Sequence, residues 1–297
     1  MPQLKSAFMP DRGVIGVTGP DAAAFLQGII TSDMAQLDHQ RAIHSGLLTP
    51  QGKILFDFFI IKADGGFLLE AARSLIPALP QRLELYKLRS KVEIADRSPE
   101  FTVAALWGGD AEGLEASEAI IAFRDPRLPA LGYRMLLTLA SDGVPAEIDS
   151  KPASRNDYDA HRIALGVPEG GKDYSFGDAF PHEALFDQLS GVSFSKGCFI
   201  GQEVVSRMQH RGTARKRIVP VVSQDKLPEP GAEILAGTAV IGSLGSTAGN
   251  RGLAMIRLDR AADAKEKGEP LLAGATPIEI QLPSWATFDI AAAAGQA

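Results

Sequence analysis

The chain has 297 residues, of which 45% are hydrophobic and 22% charged, and its formal net charge is −6. A chain of this length is longer than one that folds around a single ordinary hydrophobic core, so we expect a folded protein of two or three domains. The acidic balance argues against bulk binding of nucleic acid, although it leaves room for a local basic patch. The single cysteine excludes an internal disulfide and a four-cysteine metal or iron–sulfur site within one chain.

The first ten residues contain no long apolar core and no small-residue cleavage site, so we expect no signal peptide. No stretch of the chain reaches the apolar length that spans a bilayer. The sequence therefore predicts a cytoplasmic protein with no membrane partner.

The first hundred residues alternate short apolar segments with two helical patterns. Val14–Val17 predicts a strand, and the apolar positions between Phe25 and Ile30 predict a helix that Thr31-Ser32-Asp33 stops. A second helical face runs from Leu75 to Tyr86. Further strands are predicted at Ile43–Leu48, Ile54–Ile61, Phe67–Glu70, Val92–Ile94 and Val103–Leu106.

The links between these elements are short, and Thr49–Lys53 is rich in turn residues. Short links favour an α+β core with antiparallel sheets over a doubly wound parallel sheet. The sequence has no Gly-x-Gly-x-x-Gly after the first strand and no Walker loop, so a nucleotide-binding fold has little support.

Residues 110–156 are less regular, and a helix is predicted from Asp157 to about Leu165. The glycine-rich passage 169–177 has a length typical of loops that cover functional sites. After Arg217, short apolar runs separated by Gly, Pro and Asn predict a small β-barrel or sandwich. Residues 291–297 are rich in alanine and are expected to form a frayed tail.

The only cysteine, Cys198, lies in the block Lys-Gly-Cys-Phe-Ile-Gly-Gln-Glu that spans residues 196–203. Lys196 precedes it and a run of basic residues from Arg207 to Arg217 follows. Nearby cations lower the pKa of a thiol and favour the reactive thiolate, and the helical spacing that begins near Gln202 places the thiol on a loop before a helix. The alternative is a buried, inert cysteine, which is common for an isolated residue of this type.

This block resembles the K-G-C-[YF]-x-G-Q-E motif of the YgfZ family, whose members are folate-binding-type proteins that assist iron–sulfur cluster assembly. The family is related to the T-protein of the glycine cleavage system, an aminomethyltransferase. The resemblance extends to residues 13–37, 46–60 and 161–170, and to Pro181-His182-Glu183 and Gly191–Phe194. These last segments are most similar to the branch of the mitochondrial assembly factor that supports [4Fe–4S] proteins.

The resemblance implies a three-domain, cloverleaf-like fold around a central channel, with two α+β lobes and a C-terminal β-barrel. It implies a core at 1–210, a barrel at 211–290 and a disordered tail at 291–297. The candidate catalytic residues are Cys198, Lys196 and Asp57, and Cys198 is also a candidate ligand of a shared cluster. The candidate cofactor-binding residues are Asp57, Arg162, Gly197, Gly201, Gln202, Glu203 and Arg207.

The chain departs from the T-protein pattern at two positions. The family relatives carry two adjacent aspartates where this sequence has Phe56-Asp57, so Asp57 is either the surviving carboxylate or a polar residue on the solvent face of a strand. The glutamate that holds the pterin ring in those relatives is replaced by Ala164, which has no side-chain acceptor. This change weakens the case for tetrahydrofolate as a cofactor.

The sequence therefore favours an iron–sulfur assembly factor, with a cluster shared with an A-type scaffold protein or with a second copy in a homodimer. The alternative is a tetrahydrofolate-dependent aminomethyl or C1 transferase, although a non-enzymatic role is favoured. A third hypothesis is RNA binding by the run from Arg207 to Arg217. The alternative is that this run forms a solvated basic face. Few aromatic residues lie between the charges, so a nucleic-acid partner is the less favoured hypothesis.

Overall fold

The computed structural model describes residues 4–109, 119–139, 148–211 and 214–290. The chain divides into two compact units. The first comprises Met1–Thr49, Leu55–Tyr158 and Leu189–Ile200, and the second comprises Pro50–Ile54, Asp159–Gln188 and Gly201–Ala297. The tail predicted at 291–297 lies outside the described residues. The domain boundaries inferred from the sequence stay a prediction.

Two five-stranded sheets and two helices make up most of the first unit. Its helices are α1 (Ala22–Ile29) and α2 (Leu79–Lys87). Its strands are β1 (Lys5–Phe8), β2 (Arg12–Thr18), β3 (Ala42–Leu48), β4 (Ile54–Ala63), β5 (Gly66–Ala72), β6 (Glu93–Asp96), β7 (Phe101–Trp107), β8 (Ile120–Arg124), β9 (Tyr133–Thr138) and β10 (Lys151–Pro152).

One sheet has the strand order β3-β4-β5-β2-β6. Strands β4 and β5 pair antiparallel, as do β5 and β2, which agrees with the hairpin-like links. Helices α1 and α2 cover this sheet with buried residues such as Leu26 and Leu83. Helix α2 begins only at Leu79, because Pro80 is tolerated in the first turn of a helix but not in its interior.

The other sheet has the order β10-β1-β7-β9-β8. Strands β8 and β9 lie inside the region that the sequence pattern left irregular, so that prediction was wrong for these residues. The pattern in β9 was hidden because Arg134 occupies a fully buried position in an otherwise apolar strand. Its Nη1 donates to Glu70 Oε1 at 3.1 Å, which pairs the buried charge with a carboxylate.

The second unit is built around a closed six-stranded barrel with the strand order β11-β14-β13-β12-β15-β16. Its strands are β11 (Lys216–Val222), β12 (Glu233–Ala236), β13 (Ala239–Ala248), β14 (Arg251–Arg257), β15 (Leu271–Ala273) and β16 (Thr276–Ile280). Its helices are α4 (Gln202–Arg211) and α5 (Leu258–Lys267), and α3 (Arg155–Ala164) runs from the first unit into the second.

The mixed α+β architecture and the C-terminal barrel confirm the predicted fold class. Helix α5 was missed because its buried face consists of Leu258 and three alanines, which give a weak apolar pattern. Within the described ranges, none of the helices combines the length and apolar character that crossing a membrane requires.

Candidate functional site

Cys198 lies on a loop of the first unit, within the segment 189–200. Cys198 and Gly197 are exposed, whereas Lys196 and Phe199 are buried. The loop therefore turns its thiol towards solvent and its lysine and phenylalanine inwards. In the sequence, the loop precedes α4, as the change of periodicity at Gln202 predicted.

The ammonium group of Lys196 is buried at the C-terminal end of α1. Its Nζ donates to the carbonyl oxygens of Gln27 and Ile30, each at 2.7 Å, and to that of Ser32 at 3.0 Å. The last carbonyls of a helix lack partners within the helix, and that end of the helix dipole favours a cation. Burial lowers the pKa of Lys196 to about 8.

This placement gives Lys196 a role that the sequence did not predict. An ammonium has three donors, and all three are used by carbonyl oxygens, so none is left for a hydrogen bond to the Cys198 thiolate. An effect of its charge on the thiol stays a prediction. Lys196 is a positioning residue that fastens the loop to α1.

Thr31 fastens the same segment at a second point. Its Oγ1 donates to the carbonyl of Gly191 at 2.6 Å, and its own carbonyl accepts the backbone N–H of Ser193 at 2.9 Å. The backbone N–H of Gly46, on β3, donates to Thr31 Oγ1 at 2.8 Å. Thr31 is fully buried. The sequence pattern indicated only that Thr31 ends the helix, and its position directly after an apolar helix was the one signal of burial.

His44 on β3 contacts the start of the segment, because its Nδ1 lies 3.1 Å from the carbonyl oxygen of Leu189. Burial and, to a smaller extent, the charge of Arg127 lower the pKa of His44 to about 4, while the charge of Asp57 acts in the opposite direction. The imidazole is therefore neutral at pH 7 and donates from Nδ1 to this carbonyl. No local pattern in the sequence indicated this role for His44.

Asp57 is the carboxylate that the sequence proposed for catalysis and folate binding. It lies on β4, between buried phenylalanines, and its side chain is only partly buried. Its charge acts on His44, which places it in the first unit beside the buried polar groups rather than on a fully solvated face.

Gly201 and α4 belong to the second unit. Gly201 has a φ of +78°, a left-handed conformation that favours glycine. Glu203 is exposed and its Oε1 accepts from Arg207 Nη2 at 2.7 Å, one turn further along α4. Arg207 therefore has an ion-pair partner on its own helix. That it stabilises the thiolate stays a prediction. Gln202 is partly buried in the first turn.

Arg162 was predicted to bind a cofactor, but its side chain is fully enclosed in the second unit. Its Nε donates to Asp159 at 2.6 Å, its Nη1 to Asp173 at 2.7 Å and its Nη2 to Ser246 Oγ at 2.7 Å. Glu169 lies 3.3 Å from Nε. These partners raise the pKa of Arg162 and leave it no access to a ligand, so its role is structural. The glycine-rich passage 169–177 is held by this arginine.

The basic run from Arg207 to Arg217 does not form one solvated face. Arg217 is buried, and it donates to both carboxylate oxygens of Asp187 at 2.9 Å. Its guanidinium also lies 4.7 Å from the ring centroid of Phe288. Part of the charge that suggested RNA binding is therefore neutralised inside the second unit.

Within the described ranges, no group of three or more His, Cys, Asp or Glu side chains is arranged to hold a metal ion. The chain offers one cysteine sulfur, on an exposed loop that two buried anchors hold in place.

Comparison with known proteins first defines the class. Residues 11–136 match the GCVT N-terminal domain, and residues 215–288 match the CAF17 C-terminal beta-barrel domain. The fold is that of the glycine cleavage system aminomethyltransferase T from Bartonella henselae, with a TM-score of 0.74 and 17% identity over 96% of this chain and 86% of that chain.

The sequence relatives define the family. The human iron–sulfur cluster assembly factor IBA57 is 36% identical and covers 82% of this chain, which spans 75% of its length. The Pyricularia oryzae homologue is 33% identical over 89% of this chain and 75% of its own length. The Mycosarcoma maydis homologue is 35% identical over 73% of this chain, which spans 57% of that relative. The chain belongs to the IBA57 family of iron–sulfur cluster assembly factors.

These comparisons confirm the predicted family and its relation to the T-protein fold. The predicted cytoplasmic location is wrong by the same evidence, because the relatives are named as mitochondrial proteins. Composition and the apparent lack of a signal peptide were insufficient to assign a compartment.

Proposed function

We propose that this chain assists iron–sulfur cluster assembly by supplying Cys198 as one thiolate ligand of a cluster that is completed by a partner. The observation that carries the proposal is the exposure of the chain's only cysteine on an anchored loop. A cluster held by cysteine needs four thiolates, so one sulfur implies three ligands from elsewhere. In this role the cluster is a substrate of the protein and not a resident cofactor.

The anchoring of the loop supports a ligand role for the thiol. A ligand that is held in place before binding costs less conformational entropy when the complex forms. Lys196 and Thr31 fix the backbone that leads to Cys198 from its N-terminal side, while the cysteine itself stays in solvent. The loop therefore presents the sulfur to another protein from an anchored segment.

The partner that this chemistry fits is an A-type scaffold protein with cysteine ligands of its own, and the products are [4Fe–4S] proteins. The relatives are named as assembly factors, which supports an iron–sulfur protein as the partner. A homodimer that shares one cluster between two Cys198 residues is the competing arrangement. The molar ratio of chain, scaffold and iron in the isolated complex distinguishes the two.

The test is anaerobic reconstitution with iron and sulfide, with and without an A-type scaffold, followed by visible absorption. We expect a shared cluster with the wild-type chain and none with Cys198→Ser. Ser195→Ala is a matched control, since Ser195 is an exposed neighbour on the same loop. A Cys198→Ser protein that holds as much cluster as wild type would contradict the ligand role.

Tetrahydrofolate remains a second proposal, supported by the partly buried carboxylate of Asp57 within the GCVT-type domain. Ala164 removes the acceptor that would hold a pterin ring, and Arg162 is occupied by carboxylates. Calorimetric titration of tetrahydrofolate into wild-type and Asp57→Ala protein tests it. Micromolar binding that is lost in the variant would support an aminomethyl or C1 transferase, and no binding would end that proposal.

A further inference from the structure

A cavity of about 720 Å³ opens in the first unit, and none of its lining residues belongs to the Cys198 loop. It lies between the end of the short helical turn that follows α1, the end of β4 and the segment after β8. Three arginine and lysine side chains line it, namely Arg41, Lys62 and Arg124. Its volume is in the range of small-molecule sites.

Arg41 and Lys62 are neighbouring cations in the lining of this cavity. The backbone N–H of Lys62, on β4, donates to the carbonyl of Arg41 at 3.0 Å, so Lys62 lies beside the residue that directly precedes β3. Both side chains are exposed, and neither makes a salt bridge to a carboxylate within the described part of the chain. Like charges placed side by side on a sheet destabilise it, so this pair is a local concentration of uncompensated charge.

Arg124 adds a third cation in a fixed position. Its Nη2 donates to the Tyr133 hydroxyl at 3.0 Å, and its guanidinium lies 5.3 Å from the centroid of the tyrosine ring. Stacking on an aromatic ring orients an arginine and leaves its remaining N–H groups for an acceptor. The imidazole of His39 also lines the cavity.

Two carboxylates line the same cavity, Asp38 and Asp125. Asp125 is buried, and its oxygens accept from Arg127 Nε at 3.0 Å and Nη2 at 2.7 Å. That pairing keeps the pKa of Asp125 low and neutralises its charge towards the cavity. Asp38 is exposed and is the remaining negative group, so the three cations leave the cavity net positive.

We propose that this cavity binds a small phosphate-bearing anion through Arg41, Lys62 and Arg124. Arginine recognises phosphate through paired N–H donors, and lysine acts as a point charge. The cations line a concave site rather than an extended stripe, and the chain as a whole carries a net charge of −6, which repels long polyanions. This inference goes beyond cluster assembly and does not depend on Cys198.

The test is calorimetric titration of pyrophosphate into the full chain at low ionic strength. We expect one site, with Arg41→Gln and Lys62→Gln each weakening binding about tenfold, as expected for loss of one hydrogen bond between charged groups. The double variant should abolish measurable binding, and added salt should weaken the wild-type affinity. Lys226→Gln with Lys267→Gln is the charge-matched control, because both lysines are exposed in the second unit.

Several results would overturn the proposal. One is the absence of heat at millimolar pyrophosphate, and another is an equal loss of pyrophosphate affinity in the control double variant. Equal affinity for citrate would also overturn it, because the site would then recognise charge rather than phosphate. Binding of an acidic peptide in place of pyrophosphate would likewise reject it. Cys198→Ser should bind pyrophosphate as wild type does, so failure of the cluster assay and failure of this one are separable. Thermal unfolding of each variant checks that it is folded.

Discussion

Two buried cations hold segments of this protein in place, and they do so by different means. In the first unit, Lys196 is surrounded by three neutral carbonyl groups. In the second unit, Arg162 is surrounded by the carboxylates of Asp159, Glu169 and Asp173. Dipoles do not offset the burial of a charge as fully as carboxylates do, and the two pKa values move in opposite directions, down to about 8 for Lys196 and up for Arg162.

The two buried cations therefore have different structural roles. The ion-paired arginine joins parts of the second unit into a permanent structure, and its removal leaves buried charges behind. The lysine completes the end of a helix and fastens a loop whose outer side carries an exposed cysteine. The loop that presents Cys198 is therefore held by hydrogen bonds of moderate strength, whereas the passage 169–177 is held by charge pairs.

Replacement of Arg162 should have the largest effect. In Arg162→Leu the carboxylate of Asp173 stays buried without its cation, and we expect a loss of about 3–5 kcal/mol in the free energy of unfolding. Urea denaturation measures it. Arg257→Leu, which removes an arginine from a more exposed ion pair, is the control and should cost less than about 1 kcal/mol. A loss for Arg162→Leu as small as that of the control would show that the network is not structural.

Acid should weaken the first unit through His44. The unfolded chain takes up a proton on this histidine near pH 6.5, but the folded protein does so only near pH 4. Between these values the unfolded state binds more protons, so stability falls as the pH falls, by at most about 3 kcal/mol. His44→Gln keeps a hydrogen-bond donor for Leu189 but cannot titrate. Urea unfolding at several pH values should show a flatter profile for the variant, and identical slopes would contradict the assignment.

Removal of the Lys196 charge should have a smaller effect. Lys196→Met keeps the length of the side chain but leaves the carbonyls of Gln27, Ile30 and Ser32 without their donor, and we expect a loss of about 2 kcal/mol. Amide hydrogen exchange should accelerate in residues 189–200. Lys267→Met, an exposed substitution on α5, serves as the comparison. Unchanged exchange in the segment would mean that Lys196 does not anchor the loop.

The exposed pair of Glu203 and Arg207 should matter least. An ion pair of this kind on a helix surface contributes about 0.5 kcal/mol or less. Arg207→Gln should therefore leave urea unfolding nearly unchanged and should leave the rate of Cys198 alkylation unchanged. A clear fall in that rate would show that Arg207 stabilises the thiolate, as the sequence suggested.

The sequence was sufficient for features that depend on local pattern or on a long motif. It identified the α+β core, the C-terminal strands and the loop before α4 that carries Cys198. It was insufficient where tertiary contacts decide the outcome. Lys196 has its charge satisfied by the end of a helix far away in the sequence, and Arg134 is buried in a strand because Glu70 lies opposite. Neither partner is visible from neighbouring residues, so the sequence did not predict the anchoring contact of Lys196 or the burial of Arg134.

The ligand role of Cys198 is tested most sharply by the cluster content of a mixture of this chain with an A-type scaffold after anaerobic reconstitution. We expect wild-type protein to form a complex with a shared cluster, and Cys198→Ser to form none while it unfolds at the same urea concentration. Full cluster content in the Cys198→Ser mixture would contradict the claim that this sulfur is the ligand.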